Sequence, residues 1–404
     1  MTDDGTVDNS HIFYFLQINR SLSRLGFFFV LIVVTWYTLV ITRSVFLTGM
    51  VGVSLTASGF LSSPISGALV DRLSKPGLVV LSTTGELFSY LALLSVIVYN
   101  VTSFYTIYVI VGIVYFMITV GGLSTYTITP ELVPKDKLVF ANSLTEISLT
   151  VSEGAGAILG GVSLFLFGSY YYVMLFAVFL LVGALFFTIP FREIHKRYKV
   201  QESDDKKSSG TWKETFGFVR SRLIPILVFS IVLNSILVIM DVLGAPLVMY
   251  SLNGNSTVYG IYVGSFSIGG LVGAIVIPKI RLREIWILIL SYFAVTGASL
   301  LIMGLINNVV VIVSLPFFIG MMASASNIPL MSYLQQVIPT KILGKTTAFM
   351  DSVGAGLSPI SATIMAFAGA VYGVNILFAI AGALLLFMTL LIPGTDIRKI
   401  HLPP

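Results

Sequence analysis

Apolar runs of about 20 residues, enough to carry a helix across a hydrocarbon core, recur along the whole chain and predict a dozen spans. They fall near 20–41, 45–70, 77–98, 103–126, 138–166, 171–190, 223–249, 258–278, 285–306, 309–332, 342–367 and 372–393. The basic residues between them are not evenly shared. Arg20 and Arg24 stand at the start of the first run, Arg72 and Lys75 follow the second, and Lys135 and Lys137 follow the fourth. A cluster from Arg192 to Arg222 follows the sixth run, and Lys279, Arg281 and Arg283 follow the eighth. Lys341 and Lys345 follow the tenth, and Arg398 and Lys399 the last. Of the 23 Lys and Arg residues, only Arg43 belongs to the other set of turns. Basic residues near span ends stay cytoplasmic, so the alternation predicts an even-pass protein of the cell membrane with both termini inside.

Composition narrows the class further. With 56% hydrophobic and 10% charged residues, the 404-residue chain lies far from a soluble globule, where charged residues approach a quarter. The first run lacks a small-residue cleavage site and is read as a span, not a leader. The net charge of +5 is accounted for by the topology, so nucleic acid is not an expected partner. No cysteine is present, which excludes disulfides, thiolate metal sites and cysteine nucleophiles. His11, His195 and His401 all fall in expected cytoplasmic segments, leaving no imidazole relay across the bilayer. Gly344-Lys345-Thr346 resembles the tail of a phosphate loop, but Pro339 occupies the position of its first glycine. No enzyme activity, cofactor or metal site is expected.

The one long polar connection, about 191–222, carries Ser203-Asp204-Asp205-Lys206-Lys207-Ser208-Ser209-Gly210, a linker composition with little to bury. It divides the spans six and six. The halves repeat: Gly67-Ala68-Leu69-Val70 recurs as Gly273-Ala274-Ile275-Val276 at a shift of 206. Leu132-Val133-Pro134 recurs as Val337-Ile338-Pro339 at 205, and Glu146 maps onto Asp351 at that same shift. An even number of spans per half makes the repeat parallel, as in transporters whose substrate site lies between two six-helix halves. The predicted fold class is an all-α membrane protein. Its parts are a cytoplasmic tail (1–19), a six-helix bundle (20–190), a cytoplasmic linker (191–222), a second bundle (223–393) and a cytoplasmic tail (394–404).

Gly67-Ala68-Leu69-Val70-Asp71-Arg72-Leu73-Ser74-Lys75 resembles the signature loop that follows the second helix of the major facilitator superfamily. Ser74 stands where that pattern prefers glycine. Gly156-Ala157-Ile158-Leu159-Gly160-Gly161 is similar to a Gly-Pro-x-x-Gly-Gly element of many exporters in the superfamily, with alanine replacing the proline. The Trp212–Pro225 segment and the short Val133-Pro134 loop look like the macrolide and siderophore exporter branch. The resemblance implies alternating access, with Gly67, Asp71, Arg72 and Lys75 forming a cytoplasmic gate. Unlike many proton antiporters of the superfamily, the chain has no Lys or Arg in its fourth span.

Five carboxylates fall inside predicted spans: Glu86, Glu146, Glu153, Asp241 and Asp351. A charge at mid-helix costs about 2.5–3.5 kcal/mol on insertion scales, so such residues face a cavity or a partner. No cation is expected at their depth, since Arg24 and Arg43 lie near the ends of the first span. Asn234 and Asp241 are seven residues apart, as are Glu146 and Glu153, which puts each pair on one helix face. Asp241, Glu153, Glu146, Asp351, Asn234 and Glu86 are therefore the candidate proton or substrate residues. Tyr170, Tyr171, Tyr172, Tyr250 and Tyr259 are read as an interfacial belt, and the glycines of the eighth span as close-packing sites. The expected function is secondary active transport of small hydrophobic or cationic molecules, proton-coupled and outward, by a monomer. A facilitator or importer of sugars, peptides or metabolites is the alternative within transport. A non-transporting receptor or scaffold on the same fold is the alternative outside it.

Overall fold

The computed structural model describes residues 10–99, 103–134, 137–191, 212–276 and 285–391. The first six helices are α1 (Ser10–Thr42), α2 (Val45–Arg72), α3 (Lys75–Val98), α4 (Phe104–Leu132), α5 (Leu138–Phe167) and α6 (Tyr170–Phe186). A short helix, α7 (Trp212–Phe218), then leads into α8 (Ile224–Pro246), which is flanked by five-residue π segments at Val219–Leu223 and Leu247–Ser251. There follow α9 (Ser256–Val276), α10 (Ile285–Leu305), α11 (Val309–Val337), α12 (Thr340–Gly356), α13 (Ser358–Tyr372) and α14 (Val374–Leu391). No strand occurs among the described residues. Among the described residues, eleven helical stretches are long and apolar enough to cross a membrane, and α6 is a shorter apolar helix. The chain is an all-α multi-pass membrane protein.

Local chemistry sets the breaks. Pro76, Pro225 and Pro359 occupy first-turn positions of α3, α8 and α13, where a missing N–H costs nothing. Asn308 caps α11, its Oδ1 accepting from Val311 N at 3.2 Å. Gly168, with φ of 61°, ends α5 in the left-handed conformation that glycine adopts freely.

Several element boundaries differ from the sequence reading: α4 runs on to Leu132, α11 runs on to Val337, and the run expected at 342–367 is two helices, α12 and α13, that meet at Leu357. The helix at 171–190 stops at Phe186, where turn geometry takes over and the Thr188 hydroxyl bonds to Leu185 O, just before Pro190. At the other end of the first half, α1 begins at Ser10, ten residues before the expected start. Its added turns are held by Ile12, Phe13 and Leu16, which pack with Val79, Ile128, Leu132, Val133, Ala141 and Phe191. Burial of that apolar face offsets the polar residues on the rest of the segment.

The chain forms two compact units. One comprises residues 1–41 and 57–202, the other 42–56 and 203–404, so the first half of α2 groups with the second unit. There, Gly49 and Gly52 let α2 lie against Ala366 and Val242, where a Cβ would come within 2.9 Å of Val242 side-chain atoms. The second unit is also built on glycine contacts between backbones. A Cβ at Gly269 or Gly273 of α9 would collide with the carbonyl oxygens of Phe317 and Met321 on α11. Small residues give the close approach on which helix packing in a membrane depends.

Candidate functional site

In the first unit, the glycines of α5 place its carboxylates. Gly156 and Gly160 press on the α1 backbone at Leu25 and Phe29, and a Cβ on Gly160 would stand 2.7 Å from Phe29 O. Glu153, one turn before Gly156, is thereby brought to Arg24. Arg24 Nε donates to Glu153 Oε1 at 2.7 Å, and Nη2 donates to the same oxygen. The guanidinium also lies 5.3 Å from the Phe28 ring centroid, a cation–π contact. Towards the start of α5, Gln17 Nε2 donates to Thr145 Oγ1 at 2.7 Å and its Oε1 accepts from Ser148 at 3.4 Å. Arg24 and Glu153 keep side-chain exposures of 27% and 22%, and Glu146, two turns earlier on the same face, is exposed. Phe140, Ile147 and Val151 form a separate exposed apolar face, about a third of the way around the helix. So α5 presents one face suited to lipid and another suited to water.

A second polar contact in this unit is sealed. Residues 19, 23 and 26 of α1 run beside 83, 86 and 90 of α3 in matching order. Asn19 Nδ2 donates to Thr83 Oγ1 at 3.2 Å, Ser23 Oγ donates to Glu86 Oε2, and Gly26 faces the Tyr90 ring. Arg20 turns towards α4, its Nη2 donating to Ile118 O at 3.2 Å. Glu86 has no exposed surface and Arg20 only 4%. The expectation that no cation lies at the depth of the carboxylates is thus overturned. The early start of α1 puts Arg20 and Arg24 about 15–20 Å along it, at 1.5 Å per residue, rather than at its cytoplasmic end.

In the second unit, Asn234 and Asp241 are both exposed and share one face of α8. Ile224 and Val228 form that helix's exposed apolar face, about a third of a circumference away. Asn234 Nδ2 donates to Ser230 O at 2.9 Å, and Gly354 of α12 stands beside both residues. Beyond Asp241, Gly244 makes room for the ring of Tyr262, a buried tyrosine within the electrostatic range of Asp241. The side chains of Asp351 and Asp71 lie outside the described residues.

The profile of the Major Facilitator Superfamily matches residues 18–363. The chain belongs to that superfamily. Among curated proteins it is similar to an uncharacterized MFS-type transporter, YvqJ, of Bacillus subtilis (strain 168), at 21% identity over 266 residues. That match covers 64% of this chain and 62% of the relative, so the chain spans less than two thirds of the relative's length. Among solved structures, a mutant of the nucleoside transporter NupG superposes with a TM-score of 0.76 at 14% identity, covering 94% of this chain and 99% of that one. A mutant of the peptide transporter POT gives 0.75 at 11%, covering 98% and 100%. Family and fold are those of a membrane transporter rather than an enzyme.

The residues that resemble the superfamily's signature loop are dispersed in their contacts. Gly67 has open space around it, whereas its repeat mate Gly273 abuts a backbone carbonyl. Arg72 is exposed. Lys75 Nζ pairs with the Glu131 carboxylate and reaches Thr127 O at 3.5 Å, tying the start of α3 to the end of α4 within the first unit. Sequence reasoning missed Glu131, although its place four residues from Lys135 marks a span end. It also misread Tyr259, which is 3% exposed and stacks on Tyr262, with 6.5 Å between ring centroids, while Tyr172 and Tyr250 are exposed as a belt requires. Tyr37 is buried as well, edge-on to Tyr170 at 4.9 Å, and so packs helices together rather than facing open space.

Proposed function

We propose that this transporter exports small hydrophobic or cationic molecules in exchange for protons, by alternating access, as a monomer of the cell membrane with both termini cytoplasmic. The observation that carries the reading is the pair of exposed polar faces, Glu146 and Glu153 on α5 and Asn234 and Asp241 on α8. A carboxylate that is accessible yet set within an apolar helix favours a cation or a proton over an anion. On the α5 face two accessible carboxylates, Glu146 and Glu153, share one guanidinium, Arg24, and the α8 face carries the carboxylate of Asp241.

In this reading the proton and the cargo compete. With Glu153 ionised, Arg24 is satisfied and the α5 face holds a neutral pair beside Glu146. Protonation of Glu153 removes the negative charge that strengthens two charge-assisted hydrogen bonds and frees α1 and α5 to shift. Asp241 takes the cargo cation or a proton on the second face, with Asn234 as a neutral hydrogen-bonding neighbour, and Asp351 is the repeat counterpart of Glu146. Gly67, Asp71, Arg72 and Lys75 act at the cytoplasmic gate, and Lys75 takes part by releasing Glu131. Glu86, sealed between helices, stands outside this cycle.

A thermal-shift screen of purified protein at two pH values tests the cargo class. Lipophilic aromatic cations are expected to raise the melting temperature more at high pH, where the carboxylates are free, and Asp241→Asn is expected to remove the shift. Stabilisation by nucleosides, peptides or sugars alone would reject the cationic reading.

A further inference from the structure

Arg20 and Arg24 stand one turn apart on α1 in opposite surroundings. Arg24 keeps access to its polar face, but Arg20 is sealed, and a guanidinium stays protonated in any protein environment. A sealed positive charge needs a counter-charge and a full set of hydrogen bonds. The charged and titratable groups facing Glu86 are Arg20 and Arg24 from α1 and Tyr90 from α3 itself. From α4 comes Tyr115, beside Arg24, and α6 carries no Asp, Glu, Lys, Arg or His. Glu86 is therefore the carboxylate that balances Arg20.

The hydrogen bonds do not close on protein groups alone. Arg20 Nη2, Glu86 Oε2 and Asn19 Nδ2 have partners. Arg20 Nη1, Glu86 Oε1, Asn19 Oδ1 and the Tyr90 hydroxyl, all buried, have none among the described residues. Nη1 donates, Oε1 and Oδ1 accept, and the tyrosine hydroxyl can do either. These atoms are strung along about two helical turns, about 10 Å, with Glu86 in the middle, so more than one water is needed to serve them. The small residues of α4 make room for the guanidinium itself, beside Ser82 of α3. A Cβ on Gly121 would come within 2.5 Å of Arg20 Nη1, and one on Gly122 within 3.3 Å of Nη2.

We propose that α1, α3 and α4 enclose a short row of internal waters, one bridging Arg20 Nη1 to Glu86 Oε1 and its neighbours serving Asn19 Oδ1 at one end and the Tyr90 hydroxyl at the other. Buried waters settle where several unsatisfied polar groups converge, and a water bridge is nearly as favourable as a direct bond. The consequence is a division of labour along one helix. The Arg20–Glu86 pair is fixed and ionised and holds α1 to α3 and α4, while the Arg24–Glu153 pair is the exchangeable one.

Hydroxyl-radical footprinting of the intact wild-type protein in detergent tests the water directly, because radicals form where water resides. Tyr90 should be oxidised about fivefold or more faster than Phe29, an equally buried ring in an aromatic setting. Equal rates would overturn the site. The charge state is tested separately. If Glu86 is ionised, Glu86→Gln strands the guanidinium and lowers Tm by about 5–10 °C, and Arg20→Met with Glu86→Met restores much of it. An unchanged Tm in Glu86→Gln would mean that the carboxyl already carries a proton, and would overturn the fixed pair.

Discussion

At the scale of single residues, exposure divides otherwise similar charges into two kinds. Arg24 and Glu153, each about a quarter exposed, form a pair of the sort that contributes about 0–1 kcal/mol to stability. Glu153→Gln should therefore leave Tm within about 3 °C of wild type, while proton-driven transport falls about tenfold or more, a loss of about 1.4 kcal/mol in the coupled step. Reconstituted flux with and without a pH gradient separates the two. If Glu153→Gln still concentrates cargo, the pair is structural. Asp241→Asn makes a related prediction at the second face: flux of a lipophilic cation drops about tenfold, while folding, followed by size-exclusion profile, is unchanged.

At the scale of helices, the interior of each unit depends on glycines that no bulkier residue can replace. Gly160→Leu should force α5 off the α1 backbone and cost about 1–3 kcal/mol or more, seen as a lowered Tm and loss of the Arg24–Glu153 contact. Gly67→Ala adds a methyl where nothing lies within 4 Å, so it should fold like wild type. The helices themselves were largely legible, because runs of about 20 apolar residues have few other destinations. The start of α1 was not. Asn19 is a poor membrane residue on its own, and its partners Thr83 and Ala184 lie 64 and 165 residues away. For the same reason the sequence exposed the five carboxylates as anomalies but not their partners. Whether an acid faces Arg20, Arg24 or open space depends on which helices touch. The face-sharing of Asn234 with Asp241, and of Glu146 with Glu153, was readable because it needs only the period of one helix.

At the scale of the whole molecule, the alternating basic residues predict sidedness. The chain has no native cysteine, so single cysteines can be placed at will. A cysteine at Ser208 should resist an impermeant thiol reagent in intact cells and react after permeabilisation, whereas one at the exposed Ser103 should react from outside. Labelling of Ser208→Cys in intact cells would invert the topology and with it the direction of export. The most direct measurement of the central claim is uptake of a lipophilic aromatic cation into proteoliposomes after a pH jump that makes the lumen acidic. Exchange for protons predicts accumulation that is abolished by a protonophore and by Glu153→Gln. Uptake that is the same with and without the gradient would contradict it.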